Sequence, residues 1–128
     1  MAARPEPATA PDVFDETCSA RHALELVASK WSVLILSALG DGPARNAALL
    51  CRIGGISQKM LAQTLRDLER NGLISRCDFH TARPHVEYRL TPLGESLSET
   101  LTALDRWAER NFPALDAARE AFDAREEE

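Results

Sequence analysis

Residues 54–93 read GGISQKMLAQTLRDLERNGLISRCDFHTARPHVEYRLTPL, and the order of signals in this run decides the fold. Ser57 heads a helix, because its hydroxyl can accept a backbone N–H of the first turn. Leu61, Leu65 and Leu68 follow at i, i+4 and i+7, which is one apolar stripe of an amphipathic helix. Asn71-Gly72 closes it, with Gly72 free to take the left-handed conformation after the last turn. Two short extended segments, 73–79 and 86–90, then flank a polar loop that contains Pro84. A helix that feeds straight into a β-hairpin with a basic tip is the layout of a winged helix-turn-helix.

The flanking sequence fits that core. Residues 45–52, with Leu49, Leu50 and Ile53 at its apolar positions, predict a preceding helix, and Gly54-Gly55 supplies the tight turn between the two. Upstream, residues 31–39 (WSVLILSAL) are almost continuously apolar, which predicts a buried helix ended by Gly40-Asp41-Gly42-Pro43. Residues 19–28 predict a short helix. Downstream, Leu93, Leu97, Leu101, Leu104 and Ala108 recur at spacings of three and four, a long amphipathic helix. Pro113 cannot donate a hydrogen bond and disfavours helical geometry at Phe112, so a break is expected at Asn111-Phe112-Pro113, with a second helix over 113–124. The expected class is mainly α with a small β-hairpin wing (α+β). Residues 1–14 form a flexible tail, 15–92 the winged helix-turn-helix with its N-terminal helix, and 93–125 the C-terminal dimerisation helices.

At 128 residues, with 45% apolar and 27% charged side chains, the chain is a globular unit large enough to bury a core. No apolar stretch approaches the roughly 20 residues that span a bilayer, and the first residues (MAARPEPATAPD) lack the apolar centre of a signal peptide. A cytoplasmic protein without a membrane partner is expected. The net charge of −5 argues at first against a polyanionic partner. Its distribution reverses that: residues 45–89 hold eight Lys/Arg against four Asp/Glu, and the remainder seven against sixteen. A basic insert in an acidic scaffold gives one face a field suited to phosphate.

On a helical wheel Lys59, Ala62, Gln63, Arg66 and Arg70 lie opposite the leucine stripe, with Gln58 at the border. Such a face suits the DNA major groove: glutamine pairs with adenine, lysine or arginine reaches guanine, and alanine allows close approach. Gln58, Lys59 and Gln63 are assigned to bases and Arg66 to base or phosphate. Ser57 opens the helix, where exposed N–H groups favour a phosphate. Arg45 is a phosphate contact at the start of the preceding helix. His80, Thr81, Arg83 and His85 form the wing tip, with Arg83 reaching the minor groove or a phosphate and Pro84 stiffening the loop. The histidines lack the cysteine or carboxylate companions of a closed zinc shell, so neither metal nor cofactor is expected.

Taken in order, GGIS, MLAQTLRDLERNGLISR and VEYRLTPLGESL resemble the HxlR family of bacterial winged-helix regulators, cousins of the MarR type. The resemblance extends upstream through Cys18, Lys30-Trp31, LILSAL and Gly42-Pro43 ahead of Arg45, and downstream to Trp107. It covers residues 18 to 110. It implies a homodimeric transcriptional regulator, most simply a repressor, that reads a pseudo-palindromic operator in double-stranded DNA through two half-sites. The C-terminal helices have more apolar surface than a small winged helix needs, so Leu97, Leu101, Leu104, Trp107 and Phe112 are assigned to the dimer interface. The family usually places an aromatic residue after the arginine equivalent to Arg45; here Asn46 stands there, which leaves the local support of Arg45 open.

Cys18, Cys51 and Cys77 form no CxxC pair, and an odd number argues against a disulfide framework. Cys51 and Cys77 are read as small, partly buried residues. Cys18 precedes the first helix, where N–H donors and the nearby Arg21 and His22 favour thiolate character. The resemblance implies a further role, since several HxlR-type members sense quinones, aldehydes or oxidants through a cysteine there. A small-molecule or electrophile inducer is therefore expected. An enzyme is not: the chain has no glycine-rich phosphate loop and no nucleophile elbow. Two alternatives remain open at this point, a regulator driven by an apolar ligand bound between domain and dimer helices, and a winged helix that binds protein instead of DNA.

Overall fold

The computed structural model describes residues 10–80, 83 and 85–127. The expected tail lies largely outside these residues, as do Thr81 and Pro84 of the wing tip. Seven elements follow in the order α1 (Ser19–Val27), α2 (Lys30–Leu39), α3 (Asn46–Arg52), α4 (Gln58–Arg70), β1 (Ile74–Asp78), β2 (Val86–Leu90) and α5 (Pro92–Glu126). This is a mainly helical protein with a two-stranded antiparallel hairpin, the winged helix-turn-helix that the sequence predicts.

The core forms where the apolar stripes converge on α2. Ile35 and Leu36 of α2 meet Leu49 of α3, Leu61, Leu65 and Leu68 of α4 and Ile74 of β1, all fully enclosed. Serine caps fix the helix starts: Ser29 accepts from the Ser32 N–H at 3.2 Å, and Ser57 from the Met60 N–H at 3.0 Å. At the end of α4 the Leu73 N–H reaches the Leu68 carbonyl and the Gly72 N–H the Glu69 carbonyl, each at 3.0 Å. This double bond pattern needs a left-handed residue, and Gly72 supplies it at φ 77°. The chain thereby reverses directly into β1.

The hairpin pairs Ile74 with Leu90 through Asp78 with Val86. One more rung, Phe79 N–H to His85 carbonyl at 2.9 Å, extends it toward the tip. A third chain segment joins its outer edge: Ala44 and Tyr88 exchange two backbone bonds, at 3.0 and 2.8 Å. This ties the wing to the entry of α3.

Three expectations need correction. First, α5 is a single 35-residue helix that runs through Pro113. The proline removes one bond, the one its N–H would give the Glu109 carbonyl, but both residues are exposed and water can take that carbonyl. The Asn111 amide also donates to the Trp107 carbonyl at 2.8 Å, within the same turn. Second, Leu101 is 6% exposed and belongs to the protomer's own core, which leaves it no area for a partner. Third, Cys51 is exposed rather than partly buried.

Candidate nucleic-acid interface

The helix-turn-helix geometry sorts α4 into two faces. Leu61, Thr64, Leu65 and Leu68 are buried, and the Thr64 hydroxyl donates to the Met60 carbonyl at 2.8 Å. Ser57, Gln58, Lys59, Ala62, Gln63, Arg66 and Arg70 are exposed on the outward side. Among the described residues, no acidic side chain forms an ion pair with Lys59 or Arg66. Gln63 is oriented: its Nε2 donates to Asp67 Oδ1 at 3.1 Å, which presents its carbonyl oxygen and remaining N–H outward. Asp67 is half-buried and acts as the brace of Gln63. Met60, which the sequence reading passed over, is also exposed at the start of this helix.

The flanking cations are placed less uniformly. Arg45 sits in extended conformation as the residue before α3. Its guanidinium contacts the His85 ring, with Nε 3.2 Å and Nη2 3.1 Å from Nε2, and Nη2 also close to Nδ1. His85 in turn lies 2.6 Å from the Glu87 carboxylate. His85 thus stands at the root of the wing rather than its tip. His80 is at the tip, with φ 45° and its N–H on Asp78 Oδ1 at 3.1 Å. A positive φ is uncommon for a residue with a side chain and marks the sharp turn out of the strand. Arg83 is exposed in the same loop. Glu87 was missed, although its alternation with His85 on one strand face was available as a signal.

Cys18 is the residue before α1, half-buried, with its N–H on the Asp15 carbonyl at 3.0 Å. Two donors of Thr17, backbone and hydroxyl, hold the Asp15 carboxyl below its ordinary range. On α5, Leu104, Trp107 and Phe112 stand 53%, 48% and 56% exposed, and from Ala103 onward no described residue of this helix is buried. No single described helix is long and apolar enough to cross a membrane.

Residues 26–116 match the family model described as HxlR-like helix-turn-helix. The chain belongs to this family. It is 48% identical over 109 residues to the HTH-type transcriptional regulator YtfH of Escherichia coli (strain K12), over 85% of this chain and 86% of that one. The solved structure of the transcriptional regulator ytfH from Salmonella typhimurium superimposes with a TM-score of 0.80 at 47% identity, over 87% of this chain and 99% of the other. The redox regulator HypR in its reduced form gives a TM-score of 0.70 at 29% identity, over 77% and 98%. This HxlR-like chain is a helix-turn-helix transcriptional regulator.

Proposed function

We propose that this HxlR-like regulator is a homodimeric repressor that binds a pseudo-palindromic operator in double-stranded DNA, in the cytoplasm. The observation that carries this reading is the outward face of α4, where Gln58, Lys59, Gln63 and Arg66 stand exposed above a fully buried leucine stripe. Gln58, Lys59 and Gln63 read base edges, and Arg66 a base or phosphate. Ser57, Arg45, His80 and Arg83 hold the backbone on either side. Repression needs no further part than a promoter occupied by the dimer. A winged helix adapted to protein partners has no use for an unpaired basic face, which disfavours that alternative.

The test is a titration of the protein on its own upstream intergenic DNA against scrambled DNA at two salt concentrations. Binding that prefers the intergenic DNA and weakens with salt supports the reading; equal binding to both would overturn sequence specificity. Lys59→Ala is expected to cost roughly 1–3 kcal/mol on the operator and clearly less on scrambled DNA. Equal losses on both would make Lys59 a phosphate contact.

The input is assigned to Cys18. Its half-buried position at the head of α1 and the likeness to a redox regulator support this. Cys18→Ser is expected to keep operator affinity and to abolish release by diamide; release that persists in the variant would remove Cys18 from the role. A second reading has its own observation. A groove of about 680 Å³ between α1 and the start of α5 is lined largely by apolar side chains, among them Ala23, Val27, Leu73, Leu93 and Leu97. An apolar effector bound there would act without the cysteine, and operator binding that ignores diamide would favour it.

A further inference from the structure

The outer face of the wing carries an acidic residue that a surface built only for phosphate would not have. Ala44 pairs with Tyr88, so Arg45, the next residue, lies across from Glu87 on the face that also carries His85. Glu87 Oε2 is 2.6 Å from His85 Nε2, and both side chains are only about a quarter exposed, at 24% and 25%. The edge of the Phe79 ring packs on the imidazole at 4.7 Å between centroids, which fixes the ring plane.

The Glu87 carboxylate fixes the imidazole through Nε2. A carboxylate only accepts, so the nitrogen it meets, Nε2, carries the hydrogen. Arg45 Nη2 lies close to Nδ1 and 3.1 Å from Nε2, too near both ring nitrogens to sit on the in-plane lone pair of Nδ1, so the guanidinium rests on the face of the imidazole. The Arg45 Nε approach to Nε2 is a close contact of the same stacked arrangement and not a second hydrogen bond.

We propose that Glu87 and His85 are positioning residues for Arg45: the carboxylate fixes the imidazole, and the imidazole holds the guanidinium so that its other N–H groups meet a DNA phosphate beside the wing. This rests on the DNA-binding reading above. A surface arginine loses much rotamer freedom when it closes on a phosphate, and one already held loses less. The arrangement also replaces the support that an aromatic residue at Asn46 would give.

Glu87→Ala separates this proposal from simple charge. Removing a negative charge from a phosphate-facing surface should tighten binding. The hold predicts the opposite, roughly threefold to fivefold weaker binding of a fluorescent random-sequence duplex at about pH 8. In an Arg45→Ala background the same change should cost nothing. His85→Ala should weaken binding to the same extent, and Glu87→Ala should add nothing to that loss. Tighter binding by Glu87→Ala, or an equal loss without Arg45, would overturn the proposal. Ring nitrogen NMR of the free protein decides the tautomer without DNA: a hydrogen on Nε2 is expected, and one on Nδ1 refutes the hold. Should the native protein bind no duplex, the DNA-binding reading falls while the NMR result still stands on its own.

Discussion

Gly94→Ala is expected to lower the melting temperature by roughly 10 °C or more, the equivalent of about 3 kcal/mol in a chain of this size. Gly94 is buried in the first turn of α5, where Thr91 anchors the helix to the end of α4: its N–H donates to the Leu73 carbonyl at 3.0 Å, and its hydroxyl to the Gly72 carbonyl at 2.6 Å. The same Thr91 hydroxyl accepts the Gly94 N–H at 3.1 Å. A β-carbon on Gly94 would overlap the Leu73 carbonyl oxygen and press on its carbon, with Leu90 on the other side. Backbone does not rotate away as a side chain would, so the start of α5 must lift off both contacts. Gly54→Ala is the control, since nothing lies within 4 Å of the added carbon there, and it should stay within about 0.5 kcal/mol of the native protein. Thermal unfolding of both variants checks this. A Gly94→Ala protein that melts with the native one would mean that α5 does not pack so closely.

This contact also shows where reading the sequence reaches its limit. The Ser57 cap, the Leu61-Leu65-Leu68 stripe and the turn at Gly72 were all legible, because capping and periodicity are local and each residue carries its own signal. The extent of β2, residues 86–90, was legible for the same reason. Pro113 was misread because a propensity rule counts the hydrogen bond that is lost and not the solvent available to the Glu109 carbonyl. Leu101 and Leu104 cannot be separated on a wheel; which one is buried depends on how far the domain's other helices extend beneath α5. Arg45 and His85 are forty residues apart, and only the Ala44–Tyr88 pairing brings them together. The outward α4 face was therefore available from sequence, and so was the i,i+4 spacing that lets Asp67 brace Gln63, whereas the support behind Arg45 arises from tertiary placement.

Trp107→Glu combined with Phe112→Glu is expected to give a folded monomer that binds the operator roughly 100-fold more weakly or worse. Leu104, Trp107, Phe112, Leu115 and Phe122 are each about half exposed. At 100° per residue they share an arc of about 140° on α5. Leu93, Leu97 and Leu101 lie on the same arc, and of these Leu97 and Leu101 pack on the domain. The stripe thus continues unchanged past the point where the protomer stops covering it, along a helix about 50 Å long. A helix that ordered only its own first turns would have no reason to stay apolar on one side for six more. Two such helices side by side would bury ten large side chains, and two-fold pairing would set two α4 helices toward successive major grooves. Two carboxylates in that stripe have no partner and must be dehydrated if the dimer forms, so dissociation is favoured. The core lies elsewhere, around α2, and the circular dichroism spectrum and its α2–α4 contribution should persist. Sedimentation velocity gives the mass and titration of the intergenic DNA gives the affinity. A double variant that remains dimeric, or a monomer that still binds the operator as tightly as the native protein, would show that this stripe does not join the two half-sites.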